Sequence, residues 1–195
     1  METALPQNLT PDFSFSDEIL QDRHIAVTDC YQCTKCSSGC PLTFAMDLLP
    51  HQIIRLSALG QKDLVLSSNT IWVCSACETC TTRCPNDIDI AGVMDYLKEQ
   101  AVKSGRPSPQ RDVLAFHRSF LADIRLSGGR LNEPLLMGLF ALRRKGLLTK
   151  LMTGAMTDDL KLGFKMFQKG RLSIKPPQKV QAKAELKNLF KKAKS

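Results

Sequence analysis

Aromatic residues are scarce in this chain: one tryptophan, two tyrosines and nine phenylalanines in 195 residues. Any hydrophobic core is therefore mostly aliphatic. No uncharged apolar run approaches the ~20 residues that a membrane-spanning helix needs, so no transmembrane segment is expected. Met1 to Asp17 has neither a basic leader nor an apolar stretch, and no secretory signal is expected there. There is no Gly-rich dinucleotide fingerprint. The three histidines, His24, His51 and His117, stand in no carboxylate–histidine constellation and read as ordinary surface or half-buried residues. No nucleic-acid-binding motif is present, and few aromatics interleave the basic residues. Catalysis of substrate chemistry by this chain alone is not expected.

The eight cysteines are confined to a short stretch. They stand at Cys30, Cys33, Cys36 and Cys40, and again at Cys74, Cys77, Cys80 and Cys84. Each quartet reads C-x2-C-x2-C-x3-C-P, closed by Pro41 and Pro85, and the second repeats the first 44 residues later. Disulfides fit an even count, but not an intracellular chain with two residues between neighbouring cysteines. Structural zinc prefers two well-separated pairs, whereas here three cysteines crowd within seven residues. The spacing is that of bacterial ferredoxins carrying [4Fe–4S] clusters. Three closely spaced thiolates can wrap three iron corners of a cubane, and the fourth corner needs a cysteine from elsewhere. In two-cluster ferredoxins the fourth cysteine of each run serves the other cluster. Cys30, Cys33, Cys36 and Cys84 are thus assigned to one cluster, and Cys74, Cys77, Cys80 and Cys40 to the other. The hydroxyls of Ser37, Ser38, Ser75, Thr79, Thr81 and Thr82 are candidate donors to cluster sulfur, and Lys35 and Arg83 are cationic neighbours that favour the reduced state. Ile71, Trp72 and Val73 are expected to form an apolar lid on a cluster.

The segments around the quartets read as helical. Asp47 and Pro50 mark a helix start, Leu49, Ile53, Leu56 and Leu59 recur at helical spacing, and Gly60 ends the run. A short helix is predicted over Lys62 to Leu66. Asp89 caps another that runs to about Ser104, with Ile90, Val93, Met94, Leu97 and Ala101 on one face. Further helices are predicted over Arg111–Leu126, Glu133–Lys145, Asp158–Gln168 and Ala182–Lys194, with an extended stretch over Leu172–Val180 at Pro176–Pro177. The expected fold is all-α: an N-terminal arm (1–24), a helical ferredoxin domain with two clusters (25–105) and a helical, basic C-terminal extension (106–195).

Charge is split along the chain. Residues 1–100 carry 13 Asp/Glu and 6 Lys/Arg, and residues 101–195 carry 6 and 21, so the net charges are −7 and +15. The basic part has more apolar faces than a solvated tail, with Phe116, Phe120, Leu186 and Phe190 at helical spacing, and reads as a docking extension for protein partners.

CYQCTKCSSGCP (Cys30–Pro41) and WVCSACETCTTRCPNDIDI (Trp72–Ile90) resemble the iron–sulfur C subunit of heterodisulfide reductase and its bacterial relatives. The resemblance is close over about residues 25–105 and looser beyond. It implies an α-helical ferredoxin with two [4Fe–4S] clusters in a cytoplasmic hetero-oligomer. It implies as partners the B subunit, whose cysteine-rich CCG motifs cleave the disulfide, and the flavin-containing A subunit, from which electrons arrive. The alternatives are an iron–sulfur subunit of another oxidoreductase complex and a freestanding dicluster ferredoxin. Fused relatives carry cysteine-rich catalytic repeats in the same chain, but here no cysteine follows Cys84.

Overall fold

In a computed structural model, residues 10–143, 161, 164–166, 168–170 and 182–192 are described. The chain divides into two units, Met1–Arg111 and Asp112–Ser195. Both are helical, with no strand among the described residues.

The first unit contains α1 (Ser14–Arg23), α2 (Lys35–Ser38), α3 (Pro50–Ala58), α4 (Lys62–Ser67), α5 (Thr70–Val73), α6 (Thr79–Thr82) and α7 (Ile90–Lys103). Two 3-10 turns, Val27–Asp29 and Thr43–Ala45, join them. Pro50 opens α3 at its first position, where the missing N–H costs nothing, and Gln52 Oε1 accepts the Leu49 N–H at 2.8 Å. Gly60 ends the helix with φ of 72°, and a Cβ there would lie 1.7 Å from Asp12 O, so the turn admits only glycine. Asp89 caps α7 as expected, accepting the Gly92 N–H at 2.9 Å. The predicted inner face of α7 is buried at all five positions.

No helix was expected before residue 25, yet α1 buries Phe15 and Ile19 completely. Its contact with α7 is also polar: the Tyr96 hydroxyl donates to Asp22 Oδ2 at 3.0 Å, and Arg23 pairs with Glu99. Ile53, Ile54, Val65, Ile71 and Val93 complete an aliphatic core, in keeping with the scarcity of aromatics.

Asp47 does not start α3. Its carboxylate instead accepts the N–H groups of Leu48, Asn69 and Thr70 and the Thr70 hydroxyl, at 2.8–2.9 Å. Burial pushes this carboxyl up, but those hydrogen bonds outweigh it and hold it below its ordinary value. The clamp joins the segment after the first quartet to α5, which runs directly into Cys74.

The second unit contains α8 (Arg111–Leu126), α9 (Glu133–Arg143) and a C-terminal helix, Lys183–Lys192. Gly128 and Gly129, with φ of 70° and 94°, make the turn after α8. The α8 positions buried against α9 are polar, Ser119 and Asp123. Asp123 Oδ2 accepts the Asn132 N–H at 2.8 Å, and Arg143 donates to Ser119 Oγ at 3.2 Å. The predicted apolar face of α8 stands partly open, with Phe116 and Phe120 exposed and Phe116 edge-on to Phe140. The predicted ends at 144–146 and 193–194, the stretch 172–180 and most of the helix 158–168 lie outside the described residues. Among the described residues no helix is long and apolar enough to cross a membrane.

Candidate metal centre

The 44-residue repeat extends from the cysteines to the backbone. Gln32 and Ala76 both take positive φ, at 57° and 52°. Thr34 (φ 62°, ψ 1°) and Glu78 (φ 58°, ψ 3°) match in the same way, and α2 and α6 follow them, each four residues long. Gly39 and Arg83 close these helices at φ −94° and −93°. Four non-glycine residues are thus held in the left-handed region, each costing about 1 kcal/mol or more. Nothing in the side chains at these positions favours that conformation, since the four are Gln, Thr, Ala and Glu. The strain curls each run into a concave loop of the kind whose backbone amides receive anionic groups.

Each loop is tied to the helix that follows it by one hydroxyl. Ser37 Oγ accepts the His51 N–H of α3 at 3.1 Å, and Thr81 Oγ1 accepts the Ala91 N–H of α7 at 3.2 Å. Both helices are therefore aimed with their second residue at the residue after a third cysteine.

Two cavities result, and the fourth cysteine of each run is exchanged between them. The first, partly open to solvent, is lined by Cys30, Cys33, Cys36 and Cys84. The second is lined by Cys40, Cys74, Cys77 and Cys80. Cys36 is buried, Cys33 and Cys77 are exposed, and all eight thiols are free of disulfides. No three described His, Cys, Asp or Glu side chains converge as they would around one metal ion. Four thiols that line one cavity without converging on a point suit a polynuclear cluster better than a single tetrahedral zinc.

The sulfurs differ in environment. Burial raises the thiols of Cys36, Cys74 and Cys80 above the ordinary value, offset in part by neighbouring amides and, at Cys74, by Lys98. Cys77 is lowered by the Thr79 hydroxyl and N–H, the hydroxyl lying 3.5 Å from its sulfur.

Of the hydroxyls expected near sulfur, Ser37 lies 4.0 Å from Cys36 Sγ and Thr79 3.5 Å from Cys77 Sγ, and Ser75 and Thr81 hydrogen-bond to Cys77 and Cys80. Ser38 and Thr82 instead donate to carbonyls of their own loops four residues back, Thr34 O and Glu78 O, which also accept backbone N–H groups. Lys35 lines the first cavity, whereas Arg83 packs over Gly39. Ile71 and Trp72 are no lid: they line neither cavity and are buried in the core. Two cavity residues were missed in the sequence. Gln32 Nε2 donates to Cys30 Sγ at 3.1 Å, and His51 lines the first cavity with Nδ1 2.7 Å from Ser37 Oγ. The only available signal was an amide side chain between two ligand positions.

Residues 26–88 match the 4Fe-4S dicluster domain family. The chain carries a dicluster ferredoxin-type domain. Its relatives include the H2:CoB–CoM heterodisulfide, ferredoxin reductase C subunit of Methanothermobacter marburgensis, 33% identical over 50% of this chain and 53% of that protein. The CoB–CoM heterodisulfide reductase iron–sulfur C subunit of Methanopyrus kandleri is 30% identical over 51% and 55%. The ferredoxin:CoB–CoM heterodisulfide reductase C subunit of Methanosarcina mazei is 32% identical over 48% and 57%. The chain spans about half the length of the curated relatives it matches. The dicluster domain is thus related to that of the heterodisulfide reductase C subunit, as the two cysteine motifs implied.

Proposed function

We propose that this chain is the electron-transfer subunit of a heterodisulfide-reductase-type complex and has no substrate chemistry of its own. Cys30, Cys33, Cys36 and Cys84 hold one [4Fe–4S] cluster, and Cys74, Cys77, Cys80 and Cys40 hold the other. When bound, such clusters accept and release single electrons without bond rearrangement. The observation that carries this reading is the pair of cavities, each lined by three cysteines of one run and the fourth of its neighbour. The interchange makes the two sites neighbours, as an electron relay requires.

The protein's own part is to hold thiolates and supply donors. The left-handed residues fix the loops, and the N–H groups of Ala76, Thr79 and Thr81 face the sulfurs of Cys74, Cys77 and Cys80. Cys33 and Cys77, the exposed members, bring one corner of each site to the surface.

In this scheme electrons arrive from a flavin and iron–sulfur protein of the A-subunit kind. They leave to a CCG-motif, disulfide-reducing protein of the B-subunit kind, in the cytoplasm. The basic extension, 106–195, docks these partners. Its exposed Leu121, Leu126, Met137 and Leu142 supply apolar anchors, while lysines steer encounter.

The test is anaerobic purification with metal analysis and identification of co-purifying chains. About eight iron and eight sulfide per chain are expected, together with a CCG-motif protein. Stoichiometric zinc without acid-labile sulfide ends the cluster reading. Full iron content with no partner retained leaves a freestanding ferredoxin instead.

A further inference from the structure

The two cavities share one backbone but not one chemistry. Gln32 and Ala76 occupy the same left-handed position of the repeat. Gln32 Nε2 donates to Cys30 Sγ at 3.1 Å and to His51 O at 3.3 Å, whereas Ala76 has no side-chain donor. Ser37 and Thr81 are also equivalent, yet Ser37 faces an imidazole and Thr81 donates to the Asp89 carboxylate at 3.1 Å. Each cavity is lined by one formally charged side chain, Lys35 in the first and Glu78 in the second. Outside these residues both walls are largely apolar, with Ile54, Pro85, Ile88 and Ile90 in the first and Leu42, Met46, Pro50, Ala91 and Met94 in the second.

Donors around the second cavity oppose this trend, so the difference rests on Gln32 and on the Lys35–Glu78 contrast. Lys98 Nζ donates to Cys74 O at 3.1 Å, its charge partly offset by Asp95 Oδ1 at 3.1 Å, and the Ser75 and Thr81 hydroxyls act on Cys77 and Cys80. Thr79 Oγ1 approaches Cys77 Sγ at 3.5 Å, on the solvent-exposed cysteine, where a neutral donor counts least.

An added electron makes an anionic centre more negative. Amide donors and a cation favour that state, while a carboxylate opposes it. We infer that the first cavity gives its cluster the higher reduction potential of the two, with Gln32 as the positioning donor that sets much of the difference. This rests on the two-cluster reading above. One electron moves within the pair, oxidising the centre held by Cys40, Cys74, Cys77 and Cys80 and reducing the one held by Cys30, Cys33, Cys36 and Cys84, with no proton transferred. Electrons then enter at exposed Cys77 and leave at exposed Cys33 beside Tyr31, which is 71% exposed.

The test is a redox titration followed by electron paramagnetic resonance on anaerobic, full-length holoprotein, with the Gln32→Ala, Ala76→Gln and Glu78→Gln variants. Gln32→Ala is compatible with the fold, since alanine already holds the same backbone conformation at position 76. Gln32→Ala should lower the upper midpoint and leave the lower one in place. The expected size is about a tenfold change in the oxidised-to-reduced ratio at fixed potential, or about 59 mV for one electron. Ala76→Gln and Glu78→Gln should each raise the lower midpoint and leave the upper. The inference is overturned if Gln32→Ala moves the lower midpoint or neither, or if Glu78→Gln moves the upper. Iron analysis separates the two levels of failure: half the expected iron with one reducible centre removes the two-cluster reading and the ordering with it, whereas full iron with misplaced shifts removes the ordering alone.

Discussion

Replacing Asp47 by alanine probes how the second site is held in place. The carboxylate accepts four hydrogen bonds, three of them from the neighbourhood of α5. After truncation Leu48 N–H keeps a partner in Thr70 Oγ1, at 3.0 Å, and the Thr70 hydroxyl keeps Leu48 O. The Asn69 and Thr70 amides are left without acceptors, and Thr70 is fully buried. Hydrogen bonds to a charged group contribute about 1.5–3 kcal/mol each, and part of that is recovered by hydration of Asn69. The net cost comes to about 3 kcal/mol. For a unit of this size each kcal/mol lowers Tm by about 4–8 °C, so a fall of about 12–24 °C is expected. The assay is thermal unfolding by circular dichroism on anaerobic protein, with Asp63→Ala as the control. Asp63 pairs with Arg106 but is 85% exposed, and such pairs contribute below about 1 kcal/mol. Equal shifts in the two variants would refute the clamp, because a buried acceptor of backbone amides cannot rank with a solvated ion pair.

Crossed ligation predicts that Cys84→Ala and Cys36→Ala erase the same spectroscopic centre, and that Cys40→Ala and Cys77→Ala erase the other; loss of one centre from both Cys84→Ala and Cys77→Ala would show that each run binds alone. Burial and the hydrogen bond to Asp22 push the Tyr96 phenol up to about 12, so its stabilisation is complete below the ordinary value of 10.0 and is lost as pH rises through about 12. The advantage of wild type over Tyr96→Phe should shrink across that interval, with tyrosinate absorbance reporting the titration. Asp123→Ala should destabilise the α8–α9 hairpin by about 2 kcal/mol, seen as faster hydrogen exchange at the amide of Asn132, which loses its acceptor.

The parts of the fold written in periodic or repeated signals were legible beforehand. The inner face of α7 follows from five apolar residues at helical spacing, and its start follows from a side chain that can only act locally. The pairing of cavities was expected from the exchange of fourth cysteines known in two-cluster ferredoxins. What escaped depends on contacts between distant residues. Asp47 looked like a helix cap because carboxylates before a proline often are, but its partners lie 22 and 23 residues away and pull it toward α5. Trp72 looked like a shield because it precedes a ligand, yet helix α5 turns it into the core. The α8–α9 contact inverted expectation most, since its buried positions are a serine and an aspartate whose partners come from the next turn and helix.

The exchange of fourth cysteines also has a topological consequence. With the ligand sets proposed above, one cross-link spans Cys36 to Cys84 and the other, nested inside it, spans Cys40 to Cys74. In the unfolded chain the outer closure encloses a loop of roughly 48 residues, but once the inner one has formed only about 14 remain to be ordered. The entropy of the second closure then falls by about 1 kcal/mol, whichever forms first, because the saving is shared by both orders of assembly. Filling one site therefore favours filling its neighbour, and a chain that loses either centre loosens its grip on the other.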